Sequence, residues 1–383
     1  MKDVKIVIGA NYGDEGKGLL TRHFAIDAIQ SQKKGIIILH NGSAQHGHTV
    51  DYDPYFRHVY HHFGCGTADG LPTYFADTFW IHPMEFVREY TELAKSGIYP
   101  RCFYSPLARI ITPFDMLVDH ATEAWIALDH GEREYGSCGY GTWCAIESRG
   151  YDNVFSVYEF QTYDYNYLMN ETWDRCITVL IQRGVDVEKL PQYKDYFIPN
   201  SWKKQRLIEN FKKDFDFFFA KSTPFFFNSI YSHFDSLIFE NGQGLGLDMN
   251  VDNDWHTTSN TGLTNPVEML KDKEDFSAEV CYVSRSYLTR HGVGPLEESA
   301  KKTEINTSMV DKTNMPNEFQ GSLRFGYLED KEQSKRIEKD WLLVADDSRF
   351  KQAMAITHCN EFEDIYKKAK YFSNNPFTVL NRG

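Results

Sequence analysis

The chain has 383 residues, with 54 acidic against 41 basic side chains and a formal net charge of -13 at pH 7. Nucleic-acid binding over a broad surface needs clustered Lys and Arg, so this charge argues against a nucleic-acid partner and leaves room only for a local phosphate site. No window approaches the ~20 apolar residues of a membrane span, and the amino terminus lacks a signal-like apolar run, so we expect neither a membrane partner nor secretion.

Seven cysteines are scattered along the chain, at positions Cys65, Cys102, Cys138, Cys144, Cys176, Cys281 and Cys359. Their odd number and the lack of any CxxC pair argue against a disulfide framework and against a zinc ribbon. The cysteine content therefore favours a reducing, cytoplasmic compartment.

Apolar runs and glycine-rich turns alternate from the start of the chain. Val4–Ile8 predicts a short strand, and after a glycine-punctuated turn a helical pattern runs from Leu19 to about Ser31. A second buried strand, Ile36–Leu39, ends at a polar turn that covers residues 40–48. Strand, loop and helix in this order open an α/β nucleotide-binding fold, and ligands of such folds bind where the loops follow the strands.

The remaining pattern completes one α/β domain. It predicts two helices and three further strands, at Met84–Lys95, Pro113–His130, Leu237–Glu240, Glu279–Val283 and Ala353–Thr357. We therefore predict a single large domain over residues 1–383, with a central, mostly parallel sheet flanked by helices, nucleotide loops at the sheet edge and helical insertions. Residues 151–228 are rich in aromatic side chains and predict a mainly helical insertion, whose aromatics serve core packing or a subunit contact.

The strongest chemical signal is the hexapeptide Gly13–Gly18 (GDEGKG), directly after the first strand. Its three glycines allow close backbone approach, and the N–H groups of a helix N-terminus hold phosphate oxygens. Lys17 adds a positive charge, and the carboxylate of Asp14 suits Mg²⁺. The loop is not a Walker A motif, because Asn11 and Gly18 stand where that motif needs Gly and Ser or Thr. Alone, the hexapeptide would also fit an ordinary solvated turn.

A second motif follows the glycine-rich loop and the first helix. Asn41–Val50 (NGSAQHGHTV) resembles the Asn-rich loop of the adenylosuccinate synthetase family, which ends in Gly-His-Thr, and it follows the first motif at the family's spacing. A histidine such as His48 is by itself more often structural than catalytic. Because the motif of His48 follows the glycine-rich loop at the family's spacing, we expect a catalytic role for His48 instead. The pair of motifs is the basis of the resemblance.

Four further segments resemble the family in the same order, across nearly the whole chain. They are Gly136–Gly141 (GSCGYG) with Arg149 downstream, Phe239–Gly244 (FENGQG), Thr257–Thr261 (TTSNT) and Thr289–Pro295 (TRHGVGP). Each is only a turn when taken alone. Six ordered matches identify the chain as a relative of adenylosuccinate synthetases.

The resemblance implies a mechanism and a set of residues. Asp14 removes the proton from purine N1, His48 donates to the charge that develops between O6 and the γ-phosphoryl group, and Lys17 with Mg²⁺ neutralises the phosphates. The aspartate amine then attacks the 6-phosphoryl intermediate, and phosphate leaves. The metal would be held at Asp14 and Gly47. The phosphoryl donor would be bound by Gly13, Glu15, Gly16, Lys17, Gly18, Gly47, His48, Thr49, Asn360, Ser373, Asn375 and Pro376.

The purine monophosphate would be bound by a second set of residues. These are Asp14, Gln45, Ser137, Cys138, Arg149, Gln243 and Thr257, with Arg149 contributed by the second subunit of a homodimer. The resemblance thus implies IMP or (d)GMP, L-aspartate and ATP, dATP or GTP as partners.

The aspartate segment departs from the family pattern. The family has a longer Thr-Thr-Gly-Arg-rich loop, whereas Asn317–Glu329 (NEFQGSLRFGYLE) retains a single arginine, Arg324. We assign aspartate binding to Ser322 and Arg324, since one arginine suffices to clamp a carboxylate. The shortened loop resembles the bacteriophage branch, which makes 2-aminoadenylosuccinate from dGMP; a phage-encoded chain would act in the host cytoplasm.

The base-reading segment departs as well. Most members read guanine with Thr-Lys-x-Asp, whereas this chain has Thr357–Asn360 (THCN). The amide of Asn360 accepts from the 6-amino group of adenine and donates to N1, which favours ATP or dATP over GTP as donor. Ser373–Pro376 (SNNP) resembles the family's Ser-Thr-Gly-Pro base pocket.

Smaller departures leave the purine substrate open. Cys138 replaces a usual Thr, and Gln45 and His46 replace Asn-Ala before Gly-His-Thr. Phage enzymes often carry Ser where this chain has Asp14, which favours IMP or an intermediate type. A nucleotide-binding regulator that lost aspartate binding stays as the alternative from another class, supported by the single Arg324; the intact pair of Asp14 and His48 argues for catalysis.

Overall fold

The computed structural model describes residues 1–130, 139–252, 255–292, 294–296, 299–300, 302–305, 323–362 and 369–382. Three predicted site residues, Ser137, Cys138 and Ser322, lie outside these ranges. The helices are α1 (Lys17–Gln30), α2 (Pro83–Lys95), α3 (Pro113–His130), α4 (Thr142–Glu147), α5 (Val157–Thr162), α6 (Tyr165–Gln182), α7 (Lys194–Phe197), α8 (Trp202–Lys221), α9 (Phe227–His233), α10 (Thr264–Leu270), α11 (Lys302–Ile305) and α12 (Asp330–Trp341).

The strands are mostly short and lie between these helices. They are β1 (Lys2–Gly9), β2 (Gly35–Leu39), β3 (His48–Asp51), β4 (Arg57–Tyr60), β5 (Thr73–Phe75), β6 (Trp80–Ile81), β7 (Cys102–Tyr104), β8 (Arg109–Ile110), β9 (Ser222–Pro224), β10 (Ser236–Glu240), β11 (Phe276–Arg285), β12 (Leu288–Arg290), β13 (Ser299–Ala300), β14 (Arg324–Gly326), β15 (Phe350–Thr357), β16 (Tyr371–Phe372) and β17 (Leu380–Asn381).

A ten-stranded sheet organises the described part of the chain, in the order β17-β16-β15-β11-β1-β10-β2-β5-β7-β9. All its neighbouring strands pair in parallel except β16 and β17, which are antiparallel. Smaller units attach to it: the hairpin β3–β4, the pair β6–β8 and the antiparallel set β12-β14-β13. The fold is the predicted α/β class with a mostly parallel central sheet.

The sheet is buried on both faces, as parallel sheets are. In β1, Val4, Ile6 and Ile8 pack into one hydrophobic cluster and Val7 packs into another. Side chains alternate between the two faces of a strand, so an uninterrupted apolar run such as β2 (GIIIL) fills both clusters at once.

Residues 151–228 hold helices α5 to α8 together with β9, which pairs with β7 at one edge of the central sheet. Phe211, Phe215 and Phe218 on α8 are buried in the same cluster as Val7 and Ile37 of the sheet. Aromatic packing therefore joins this segment to the sheet. Phe226, in contrast, is largely exposed.

The predicted elements agree with the structure to within a few residues at their ends. Helix α3 spans the predicted range, and α1 begins at Lys17, two residues earlier than the pattern indicates. Within the described ranges, no helix combines the length and apolar character needed to cross a membrane. The six described cysteines are all buried and carry free thiols.

Candidate active site

Five neighbouring strands end at one edge of the sheet. They are β15, β11, β1, β10 and β2, and because they are parallel, the loops that follow their carboxyl ends meet. Those loops carry the segments singled out in the sequence, beginning at residues 10, 40, 241, 286 and 358. Sheet topology thus gathers motifs that are hundreds of residues apart.

The glycine-rich loop is shaped around the carboxylate of Glu15, which is 2% exposed. Its Oε1 accepts hydrogen bonds from the backbone N–H groups of Asn11 (3.1 Å) and Gly13 (2.8 Å). Its Oε2 pairs with Lys17 Nζ at 3.0 Å. Glu15, which the sequence assigns to donor binding, therefore also holds the loop in shape from within.

Three residues of the loop, Gly13, Asp14 and Gly16, have positive φ angles. Gly16, the residue before α1, has φ 93°, and a Cβ placed there would lie 2.8 Å from Thr357 Cγ2. Thr357 also donates its hydroxyl to the Glu15 carbonyl at 2.8 Å. Asp14 has φ 60°, a region that Asp tolerates better than most residues, and its carbonyl accepts from Arg285 Nε. The end of β15 and the glycine-rich loop are thus fitted together.

A cleft of about 790 Å³ opens over this loop. It is lined by every residue predicted to bind the phosphoryl donor except Gly13, which adjoins it. Asp14 lines it as well, together with Asp51, Asp53 and Tyr55 of the β3–β4 hairpin. The cleft is large enough for a nucleotide, and its floor presents the helix N-terminus that favours phosphate.

His48 meets Glu240 at the inner wall of the cleft. His48 Nδ1 lies 2.5 Å from Glu240 Oε1, and the two side chains are 7% and 0% exposed. Burial lowers the pKa of His48 well below its ordinary value, and the nearby charge of Lys17 lowers it further. Burial raises the pKa of Glu240. Both directions favour an uncharged pair linked by a short hydrogen bond.

Gln45, on the same loop as His48, lies close to Gln243 of the loop that follows β10. A Cβ on Gly42 would lie 2.6 Å from Gln45 Nε2 and 3.6 Å from Gln243 Oε1. Gln45 Oε1 accepts from Ser43 N at 2.7 Å and from the Thr142 hydroxyl at 3.3 Å. Gln243 Oε1 is buried and has no hydrogen-bond partner within the described ranges. The structure thus brings together two of the residues assigned to the purine.

His46, the residue after Gln45, is also buried, and its ring centroid lies 4.8 Å from that of His48.

Two asparagine side chains connect the loops around the site. Asn41 Oδ1 accepts from Gly242 N at 2.8 Å, which ties the loop after β2 to the loop after β10. Asn241 Nδ2 donates to the carbonyls of Thr261 (2.9 Å) and Gly262 (3.0 Å).

Thr257 and Arg149 lie apart from the donor cleft. Thr257 Oγ1 is 3.4 Å from Ser259 Oγ, and its backbone N–H donates to Leu247 O at 2.8 Å. Arg149 is exposed, and its Nη1 lies 3.9 Å from Met249 Sδ. Met249 N in turn donates to Ser259 O at 3.2 Å, so Arg149 and Thr257 border one loop.

Arg324 engages the backbone rather than an open pocket. Its Nε donates to Gly292 O at 2.9 Å and its Nη2 to Gly294 O at 2.8 Å. Burial lowers the pKa of Arg324. In this structure the arginine therefore supports the segment that follows β12, which is a role that the sequence does not predict.

Asp14 and Gly47, the residues assigned to the metal, both line the cleft. Asp14 is partly exposed, with Oδ2 3.4 Å from His291 Nε2. A carboxylate and a backbone carbonyl are oxygen ligands of the kind that Mg²⁺ prefers.

Some residues of the site are not recognised from the sequence alone. Glu240, Arg285 and Tyr287 contact or line the cleft, yet none is assigned a role by the motifs. A charged residue directly after the apolar run Leu237–Phe239 of β10 (SLIFE) is the signal that points to Glu240, because buried charges need a partner.

The fold and the cleft define a nucleotide-binding α/β protein. The sequence model for adenylosuccinate synthetase matches residues 6–329. The adenylosuccinate synthetase of Thermosipho africanus is 23% identical over 77% of this chain and 66% of its own length, and that of Talaromyces marneffei is 24% identical over 79% and 68%. The chain thus spans about two thirds of the length of these relatives.

Solved structures agree with this assignment of the fold. The fully ligated adenylosuccinate synthetase from Plasmodium falciparum is 18% identical and superposes with a TM-score of 0.66, covering 94% of this chain and 78% of that one. The cyanophage S-2L succinoaminodeoxyadenylate synthetase, bound to dGMP and to dATP as energy donor, is 13% identical with a TM-score of 0.63 and covers 100% and 95%. The chain belongs to the adenylosuccinate synthetase family.

Proposed function

We propose that the protein is a ligase that joins L-aspartate to C6 of a 6-oxopurine nucleotide and cleaves a nucleoside triphosphate to the diphosphate and phosphate. The observation that carries this proposal is the convergence of the predicted donor residues, all but Gly13, on one cleft whose inner wall holds His48. His48 lies on the same loop as Gln45, which adjoins Gln243. A donor and a purine would therefore approach His48 from two sides. Family membership does not favour a regulator that only binds nucleotides.

Asp14 is the proposed general base. Its carboxylate is 21% exposed in the cleft, so it is open to a substrate while its backbone is held by Arg285. Removal of the N1 proton places negative charge on O6, which then attacks the γ-phosphorus and expels the nucleoside diphosphate. Attack of the aspartate amine on C6 of the 6-phosphoryl intermediate releases phosphate.

Lys17 and the loop amides neutralise the phosphates during transfer, because phosphoryl transfer depends mainly on positioning and electrostatics. His48 Nε2 is buried and has no hydrogen-bond partner among the described residues, which leaves this atom to interact with the group being transferred. A donor aimed at developing charge in a buried site lowers the barrier more than it would in water.

Mg²⁺ fits the donor set of the cleft. Asp14 supplies a partly exposed carboxylate and Gly47 a backbone carbonyl, both on the cleft wall. When bound there, the ion would supply positive charge to the phosphate oxygens.

We propose an adenine nucleotide, ATP or dATP, as the donor. Asn360 is exposed at the rim of the cleft, and its Nδ2 donates to Glu361 Oε1 at 3.0 Å, which leaves its carbonyl oxygen to accept from a 6-amino group. Asn360 stands where most members of the family have the aspartate that accepts from the N1–H and 2-amino hydrogens of guanine, which favours adenine over guanine. The purine substrate is IMP or (d)GMP.

The remaining parts of the proposal concern aspartate and assembly. Arg324 and Ser322 are proposed to bind the aspartate carboxylates; for Arg324 this requires that one of its two contacts to backbone carbonyls be shared with the substrate. Arg149 is exposed and lies beside Met249. Its guanidinium could therefore reach the active site of a second subunit in a homodimer.

The test crosses IMP, GMP and dGMP with ATP, dATP and GTP in the presence of aspartate and Mg²⁺. Phosphate release is measured together with the mass of the aspartylated nucleotide. We expect product with an adenine donor and one class of monophosphate. Product with IMP identifies an adenylosuccinate synthetase, and product only with dGMP identifies a maker of 2-aminoadenine precursors. Tight donor binding without product in any combination contradicts the ligase proposal.

A further inference from the structure

The contact between His48 and Glu240 is more constrained than an ordinary hydrogen bond. Glu240 Oε1 lies 2.5 Å from His48 Nδ1, while Glu240 Oε2 accepts from the backbone N–H of Cys65 at 3.0 Å. Both carboxyl oxygens are engaged and the side chain is fully buried. The carboxyl group therefore cannot rotate without breaking one of two buried hydrogen bonds.

The backbone of Glu240 is fixed as well. Glu240 is the last residue of β10, where it pairs with Val7 of β1 on one side and with Leu39 of β2 on the other. A residue between two strands of a central parallel sheet is among the most rigid positions of such a fold. His48, by contrast, begins the two-stranded hairpin β3–β4, which lies outside the central sheet.

Because the rigid side chain of Glu240 holds one ring nitrogen of His48, it also fixes the direction in which the other ring nitrogen points. With Nδ1 held by Glu240, Nε2 is the ring atom left to face a ligand, and it is buried and without a hydrogen-bond partner in the described part of the chain. Resting on the proposed function, we infer that Glu240 is a positioning residue, which fixes the ring orientation of His48 so that Nε2 meets the transferred phosphoryl group.

Two variants of Glu240 distinguish a positioning role from a general role in stability. In Glu240→Gln the amide oxygen accepts from Cys65 N–H and the amide N–H₂ donates to Nδ1, so the ring stays in place. Glu240→Ala removes both contacts and leaves the Cys65 N–H unpaired. Glu279→Ala is the matched control, because Glu279 is also a mostly buried strand glutamate but contacts Lys5, Lys370 and Tyr371 rather than His48.

The kinetic test is a double-mutant cycle with His48→Ala. We expect Glu240→Ala to lower kcat about 10- to 100-fold, which is the range seen when a group that orients a functional histidine is removed. The KM for the donor should change less than about threefold. Glu240→Gln stays within about tenfold of the wild type, and Glu279→Ala is unaffected. In the His48→Ala background, Glu240→Ala should cause no further loss. An equal loss in both backgrounds overturns the inference.

An activity-independent measurement completes the test. Ring ¹⁵N spectra of histidine-labelled protein, with His48 assigned by its loss in His48→Asn, should show one fixed tautomer in the wild type and in Glu240→Gln, and an averaged pair of signals in Glu240→Ala. If Glu240→Ala does not fold, the comparison of wild type with Glu240→Gln still applies. A tautomer mixture in the wild type overturns the positioning role, whereas a fixed tautomer without ligase activity contradicts the proposed function alone.

Discussion

Lys17 Nζ and Glu15 Oε2 lie 3.0 Å apart beneath the glycine-rich loop, and both side chains are 2% exposed. Removing one partner of a buried pair leaves an uncompensated charge. Lys17→Met should therefore lower the free energy of unfolding by about 3 kcal/mol or more. Glu15→Gln combined with Lys17→Met removes both charges and should recover most of this stability without recovering turnover.

Chemical denaturation and phosphate release measure these two effects separately. Lys335→Met is the control, since Lys335 pairs with Glu332 on the surface and is 57% exposed; its loss should change stability by less than about 0.5 kcal/mol. If Lys17→Met is as stable as this control, the buried pair makes no net contribution.

Asp14→Asn should remove the proposed base while sparing the fold. Asn tolerates the left-handed backbone of position 14, where φ is 60°, as well as Asp does. We expect kcat to fall by about 10²- to 10⁴-fold, with a melting temperature close to that of the wild type. Asp216→Asn, on the exposed face of α8, serves as the control. Nearly normal turnover in Asp14→Asn would exclude Asp14 as the base.

Gly16→Ala should weaken donor binding. Its Cβ would lie 2.8 Å from Thr357 Cγ2 at a φ of 93°, so the loop must shift. Strain of about 1–3 kcal/mol corresponds to roughly a 5- to 150-fold loss of affinity, measurable by calorimetric titration with ATP. Gly184→Ala shares a positive φ of 67° but has nothing within 4 Å, so it should cost stability and leave ATP affinity unchanged. Equal ATP affinity in both variants would contradict the role of the Gly16–Thr357 contact.

Asp340 should make stability depend on pH. Burial raises its pKa to about 6, although Leu263 N and the Tyr282 hydroxyl both donate to its carboxyl group at 2.8 Å. The unfolded value is about 3.9, so between these values the folded state binds the extra proton. The stabilisation is full below pH ~4 and is lost as pH rises towards 6, by up to about 3 kcal/mol.

Asp340→Asn keeps both hydrogen-bonding positions occupied and does not titrate. The difference in unfolding free energy between wild type and variant, followed from pH 4 to 8, should therefore fall until about pH 6 and then level off. Parallel stability curves for the two proteins would show that Asp340 does not titrate in this window.

The sequence by itself determined the fold class and the family. Uninterrupted apolar runs such as Ile36–Leu39 are typical of strands buried on both faces, as in a parallel sheet covered by helices, and the ordered motifs identify the family. Local chemistry also predicts phosphate binding at the glycine-rich loop, because the geometry of such a loop before a helix depends on neighbours in sequence.

Tertiary structure alone decided how those turns meet. His48 and Glu240 are 192 positions apart, and only the strand order β1-β10-β2 brings them to 2.5 Å. The partners of Arg324 and the edge pairing of β9 with β7 likewise depend on which segments become neighbours in space. Buried polar groups form hydrogen bonds with the groups that the fold places beside them, and those partners cannot be read from the sequence pattern when they are distant in the chain.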